Sequence, residues 1–118
     1  MDFVAFLGND KENWGQIRAL MTKLDYERAI LIKNKESDRF STNSKTLVIN
    51  VDSAKSLSDL KNDILKQLKP KLSGEFDIAL SIASGTGKEH MAVISALLAI
   101  PVGIRLVAYT KEGVEFLS

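Results

Sequence analysis

The chain has 118 residues, with 16 Lys and Arg against 15 Asp and Glu, a net charge of +1, one histidine and no cysteine. That length suits one domain, residues 1–118, able to bury a core without disulfides or a metal. The charge balance excludes a surface built throughout to grip duplex nucleic acid. The cysteine count excludes disulfide scaffolds, thiolate metal sites and a cysteine nucleophile.

A single histidine cannot build a histidine-based metal site, and no cofactor is expected. No apolar run approaches the length of a membrane span. The opening run of MDFVAFLGND is too short for a secretory signal. A soluble, cytoplasmic protein is expected.

In chain order, Phe3 to Leu7 (FVAFL) reads as a buried strand ended by Gly8, Asn9 and Asp10. Asn9 or Asp10 can cap the helix that follows, whose apolar stripe is Trp14, Ile17, Leu20, Met21 and Leu24. Arg28 to Ile32 is a second strand. Lys33 to Lys45 is polar without a period and is expected to be a loop or a short irregular helix.

Thr46 to Val51 (TLVINV) is a third strand. Ser56 then caps a helix carrying Leu57, Leu60, Ile64, Leu65 and Leu68, and Pro70 should bring it near its end. Phe76 to Ala83 (FDIALSIA) is nearly all apolar, as in the centre of a parallel sheet. After the glycine-rich SGTG, Lys88 to Ile100 reads as a helix with Met91, Ile94, Ala96 or Leu97, and Leu98 on its stripe. Gly103 to Tyr109 is a fifth strand. TKEG is a hairpin turn, and Val114 to Leu117 returns antiparallel. Strands alternating with helices predict an α/β fold: a Rossmann-like, doubly wound, mostly parallel sheet with a C-terminal antiparallel edge strand.

In such sheets ligands sit outside the carboxyl ends of the strands, where strand order reverses. Two loops leave that edge from strands expected to be central. One is Gly8, Asn9 and Asp10; the other is Ser84, Gly85, Thr86 and Gly87, which runs into a helix. Backbone N–H groups and the helix dipole make the second loop an anion seat, Ser84 and Thr86 add hydroxyls, and Lys88 adds a charge. That charge is unfavourable in a first helical turn by up to ~1 kcal/mol, and a bound phosphate would compensate it.

Known phosphate motifs do not fit. A P-loop needs glycine where Ile82 stands and Ser or Thr where Glu89 stands, and the dinucleotide fingerprint needs glycine at His90. The bland alternatives are that Gly85 and Gly87 only permit a tight turn, that Asn9 and Asp10 only cap a helix, and that His90 is a surface or partly packed residue.

The segment SGTGKEHMAVISALL, Ser84 to Leu98, resembles the CRISPR-associated Rossmann-fold (CARF) domains. Those carry a glycine-rich loop with a basic residue after strand 4, then an apolar helix. A polar loop after strand 1, the chain length and the closing GIRLVAYTKEGVEFL also agree. The resemblance spans the whole chain in topology, and in residues it rests mainly on that loop and helix.

It implies a homodimer that binds a cyclic oligoadenylate across its two-fold axis, in antiviral signalling. Ser84, Gly85, Thr86, Gly87 and Lys88 would hold phosphates, with Gly8, Asn9 and Asp10 near bases or riboses. Some members cleave the ring without metal by attack of a ribose 2′-hydroxyl on the adjacent phosphate. Lys88 would then stabilise the developing charge, and Ser84 or Thr86 would position the hydroxyl. Unlike many CARF proteins, this chain shows no second domain. The competing readings are a small Rossmann-like interaction or scaffold protein with a structural glycine turn, and a binder of another nucleotide.

Overall fold

The computed structural model describes residues 1–34 and 40–118; residues 35–39, in the middle of the stretch expected to be a loop or irregular helix, lie outside the described residues. The elements are β1 (Asp2–Leu7), α1 (Trp14–Lys23), β2 (Ala29–Asn34), β3 (Thr46–Val51), α2 (Leu57–Leu72), β4 (Asp77–Ser81), α3 (Gly87–Leu98), β5 (Gly103–Thr110) and β6 (Gly113–Phe116). They form one six-stranded sheet in the order β3-β2-β1-β4-β5-β6. All neighbours pair parallel except β5 and β6, which are antiparallel. This is the expected Rossmann-like α/β fold. β1 and β4 lie side by side at its centre, where the chain's progression across the sheet reverses.

The alternation of β1 sorts the core into two layers. Val4 and Phe6 join Leu60, Ile64 and Leu68 of α2 and Val93, Ala96 and Leu97 of α3 on one face. Phe3, Ala5 and Leu7 meet Trp14, Ile17 and Leu20 of α1 on the other. β1 is buried on both faces, which is why its run is continuously apolar. Ile64 is wholly buried; its truncation to Ala removes about 2–5 kcal/mol, the cost of an unfilled core site.

Some boundaries differ from the sequence reading. β4 starts at Asp77 because Phe76 is 88% exposed, and Ile82 and Ala83 have already left the sheet. β2 starts one residue later, at Ala29, and takes in Lys33 and Asn34 from the stretch expected to be a loop or short irregular helix. α2 does not stop near Pro70 but continues to Leu72, whose side chain is buried. Pro70 removes one N–H from the helix ladder, and the helix runs only two residues past it. Ser56 does cap α2, its hydroxyl accepting from the Asp59 amide at 3.2 Å. Neither Asn9 nor Asp10 caps α1 directly: a single 3-10 turn, Lys11–Asn13, intervenes, and the Asp10 side chain makes no cap bond to it. Its carboxylate is used elsewhere.

Candidate functional site

The loops after β1 and β4 touch backbone to backbone. A Cβ on Gly8 would lie 2.7 Å from the Gly85 Cα and 2.7 Å from Asp10 Oδ1, so only glycine fits. The Gly8 amide donates to Ser84 Oγ at 2.9 Å, and its carbonyl accepts from the Trp14 indole N–H at 2.9 Å. Trp14 therefore packs in the core, as expected, and also fixes the β1 loop.

Asp10 closes the contact. Its Oδ1 accepts from the Ser84 hydroxyl at 2.7 Å and from the Gly85 amide at 3.0 Å, and its Oδ2 accepts from Asn13 Nδ2 at 2.7 Å. Burial pushes this carboxyl up. The hydrogen bonds from Asn13, Ser84 and Gly85 outweigh that and hold it below its ordinary value of 3.8. Ser84 has no exposed surface, and its hydroxyl is spent on Gly8 and Asp10.

Gly85 needs its glycine for two reasons. Its φ is +106°, and a Cβ would sit 3.2 Å from Glu89 Oε1, His90 Nε2 and Phe6 Cδ1. Beyond it, Thr86 and Glu89 form a reciprocal cap: the Thr86 amide donates to Glu89 Oε1 at 2.8 Å and the Glu89 amide to Thr86 Oγ1 at 3.2 Å. Glu89 is only 5% exposed, and its Oε2 accepts from Ser53 Oγ at 2.6 Å. His90 sits 2.7 Å, through Nε2, from the Ser84 carbonyl, which can only accept, so Nε2 carries the proton.

The N-terminus of α3 divides into satisfied and open groups. Gly85 and Thr86 have their amides filled by the chain's own carboxylates. Among the described residues, the Gly87 and Lys88 amides have no hydrogen-bond partner. Gly87 has a φ outside the left-handed region, and a Cβ on it would meet nothing within 4 Å. Neither backbone conformation nor internal packing requires glycine there. Lys88 is exposed and donates from Nζ to the Ser53 carbonyl at 2.8 Å.

Asn9, Asp10, Gly85, Thr86 and Glu89 line a cavity of about 160 Å³ at this crevice. That is below the range of about 300–1,000 Å³ of pockets that enclose a drug-sized ligand, so it does not enclose a whole nucleotide. Ser84, Gly87 and Lys88 stand outside its lining. Among the described residues, no three acidic or histidine side chains converge as metal ligands, and no helix is long and apolar enough to cross a membrane.

Three contributors lay outside the sequence reading. Glu89 entered only as a departure from the P-loop, although Thr86-x-x-Glu89 is a local capping signature. Ser53, from the β3–α2 connection, holds both Glu89 and Lys88, and nothing in its neighbourhood announces that. Asn13 steadies Asp10.

No family model matches the chain, and no curated protein is significantly similar to it.

Proposed function

We propose that this chain is a Rossmann-like ligand-binding domain that takes an anionic nucleotide at the N-terminus of α3, beside the crevice between the β1 and β4 loops. The observation that carries this reading is the pair of open amides at Gly87 and Lys88. They lie at the start of a twelve-residue helix, beside the Lys88 charge and next to a glycine that the fold itself does not need. A glycine free of internal duties allows an external group to approach the backbone, and an anion there would offset the Lys88 charge against the helix dipole.

The ligand class we assign is a cyclic oligoadenylate bound by a cytoplasmic homodimer. It rests on the resemblance of Ser84 to Leu98 to CARF domains and on the outward side of α3, where Met91 is 57% and Leu98 73% exposed. A self-associating α3 would set two copies of the loop about one axis, matching a symmetric ring. In ring cleavage Lys88 would be the group that meets the developing charge. Ser84 is enclosed and would have to be uncovered first.

A second reading is favoured by a specific observation. Asp10 and Glu89 already satisfy the Gly85 and Thr86 amides, as a purely structural turn in a scaffold protein would. A thermal-shift series with cyclic tetra- and hexa-adenylate, ATP and NAD separates the two. A ligand at 100 times its dissociation constant stabilises by about 2.7 kcal/mol. Stabilisation by a cyclic oligoadenylate supports the assignment, stabilisation by ATP or NAD alone redirects it to another nucleotide, and no shift with any of them favours the scaffold.

A further inference from the structure

We infer that the open edge of β3 docks a second copy of this chain, the two β3 strands pairing antiparallel about Val48. This goes beyond the proposed anion-binding reading and does not depend on it. β3 is one end of the sheet, and an end strand presents unpaired backbone groups that invite another strand. The two ends of this sheet are guarded unequally. β6 is only four residues long and carries Gly113 and Glu115. β3 is TLVINV, six residues rich in β-branched side chains, with no charge, proline or glycine. Leu47 is 38% and Val48 42% exposed.

The ladder gives each backbone group of β3 a direction. The Ala29 amide donates to the Lys45 carbonyl at 2.9 Å. With Ala29 opposite Thr46 in a parallel pair, the odd-numbered residues of β3 then bond inward to β2. Thr46, Val48 and Asn50 turn their N–H and C=O groups to the open edge. Two of these groups are used within the chain: the Thr46 amide donates to the Asn43 carbonyl, and the Asn50 carbonyl accepts from Gln67 Nε2, both at 3.2 Å. Among the described residues, the Val48 N–H and C=O, the Thr46 C=O and the Asn50 N–H have no partner.

That set is self-complementary. An antiparallel pair centred on Val48 lets Val48 exchange N–H and C=O with the partner's Val48. It also sets Thr46 against the partner's Asn50, where a free C=O meets a free N–H. The two groups already used face each other and lose nothing. Side chains agree, since Val48 packs on its own copy and Leu47 on the partner's Ile49. Charge fixes the direction. Lys45 and Asp52, both exposed, flank the strand. Antiparallel pairing brings Lys45 to the Asp52 end of the partner strand, whereas parallel pairing sets lysine against lysine. So narrow a contact belongs with the weak, transient interfaces. Where α3 also pairs, each dimer carries two such edges, and edge pairing links dimers into open chains.

The test is sedimentation equilibrium and amide hydrogen exchange on Leu98→Asp, a variant that removes any contribution from α3. Measurements at about 20 μM and about 1 mM span the range of weak association. Edge pairing predicts a mass that rises from monomer toward dimer, with the Val48 and Asn50 amides exchanging at least about threefold more slowly at the higher concentration. Val48→Lys in the same background sets like charges at the two-fold axis and should stay monomeric throughout. A mass that does not rise, or association that Val48→Lys leaves intact, overturns the inference. So does association without slowing of the Val48 and Asn50 amides, because the contact then lies on another surface. If circular dichroism shows Val48→Lys unfolded, Asn50→Pro replaces it, deleting an outward N–H on an edge strand, where proline is tolerated. No nucleotide enters these measurements, so their failure and the failure of the proposed binding are separate results.

Discussion

The Asp10 carboxylate lies on the Gly85 amide, 3.0 Å from Oδ1 and 3.2 Å from Oδ2, across 75 residues of sequence. With the Ser84 hydroxyl it fastens the two central loops of the sheet to each other. Hydrogen bonds to a charged group contribute about 1.5–3 kcal/mol, and partial exposure places this one toward the lower end. Asp10→Ala should therefore lower the unfolding free energy by about 1–2 kcal/mol in urea titrations at neutral pH. A loss below ~0.5 kcal/mol, the level of an ordinary surface substitution, would mean that the tie holds nothing together.

The same contact makes a pH prediction. The folded Asp10 carboxyl titrates below its ordinary value of 3.8, so the unfolded chain binds its proton first. Its contribution is present in full above that value and is lost as pH falls through the lower, folded value. The stability gap between parent and Asp10→Asn should hold from neutrality to about pH 5 and close below pH 4. A gap that stays constant down to pH 3 would show that the tie does not depend on the charge.

The sheet was legible because its strands are short apolar runs punctuated by Gly, Asn and Asp. FVAFL, buried on both faces, announced the centre directly. The end of β4 was not, because Ile82 and Ala83 are as apolar as the strand before them and only the turn to α3 removes them. The glycine loop was found, but not how its donors divide. Gly85 is occupied by a residue from the other end of the chain, a pairing that no local pattern encodes. The Thr86 and Glu89 cap was local and readable, but its letters overlap a phosphate-loop pattern.

The two loop glycines should separate cleanly. At Gly85 a side chain faces a φ of +106° and contacts at 3.2 Å, so Gly85→Ala should destabilise by about 1–3 kcal/mol. At Gly87 nothing lies within 4 Å of a Cβ, so Gly87→Ala should leave stability unchanged or raise it by up to ~1 kcal/mol, the helical advantage of Ala over Gly. Thermal unfolding of both reads this directly. Nucleotide affinity should nevertheless fall in Gly87→Ala, since the methyl group stands where the proposed anion approaches.

Self-association should depend on the outward side of α3. Leu98 is 73% exposed and Met91, two turns away on the same side, is 57% exposed. Leu98→Asp should cost a monomer about 0.5–1.5 kcal/mol, since an acidic group in the last turn of α3 opposes the helix dipole, and it would also bury a charge at a dimer interface. Light scattering at tens of micromolar should give a dimer for the parent and a monomer for Leu98→Asp, with unchanged circular dichroism. A monomeric parent, with and without nucleotide, would remove the two-fold arrangement from the proposal.

Lys88 is the most direct probe of the proposed anion seat at the start of α3. Its side chain is exposed, and its visible contact is a bond from Nζ to the Ser53 carbonyl at 2.8 Å. It also places a positive charge in the first turn of α3, where the helix dipole opposes it by up to ~1 kcal/mol. These terms nearly offset, so Lys88→Ala should change stability by no more than ~0.5 kcal/mol. Binding is a different matter, because a phosphate at the open Gly87 and Lys88 amides would take a charge-assisted bond from this side chain. Its loss should weaken affinity by about 1.5–3 kcal/mol. In a two-fold dimer each ring loses two such contacts, and the penalties need not add. Any ring cleavage should slow at least as much as binding weakens, since charge on the phosphate grows toward the transition state. Titration of the parent and Lys88→Ala with one nucleotide decides it: equal affinities in two folded proteins would return this loop to the role of a tight turn.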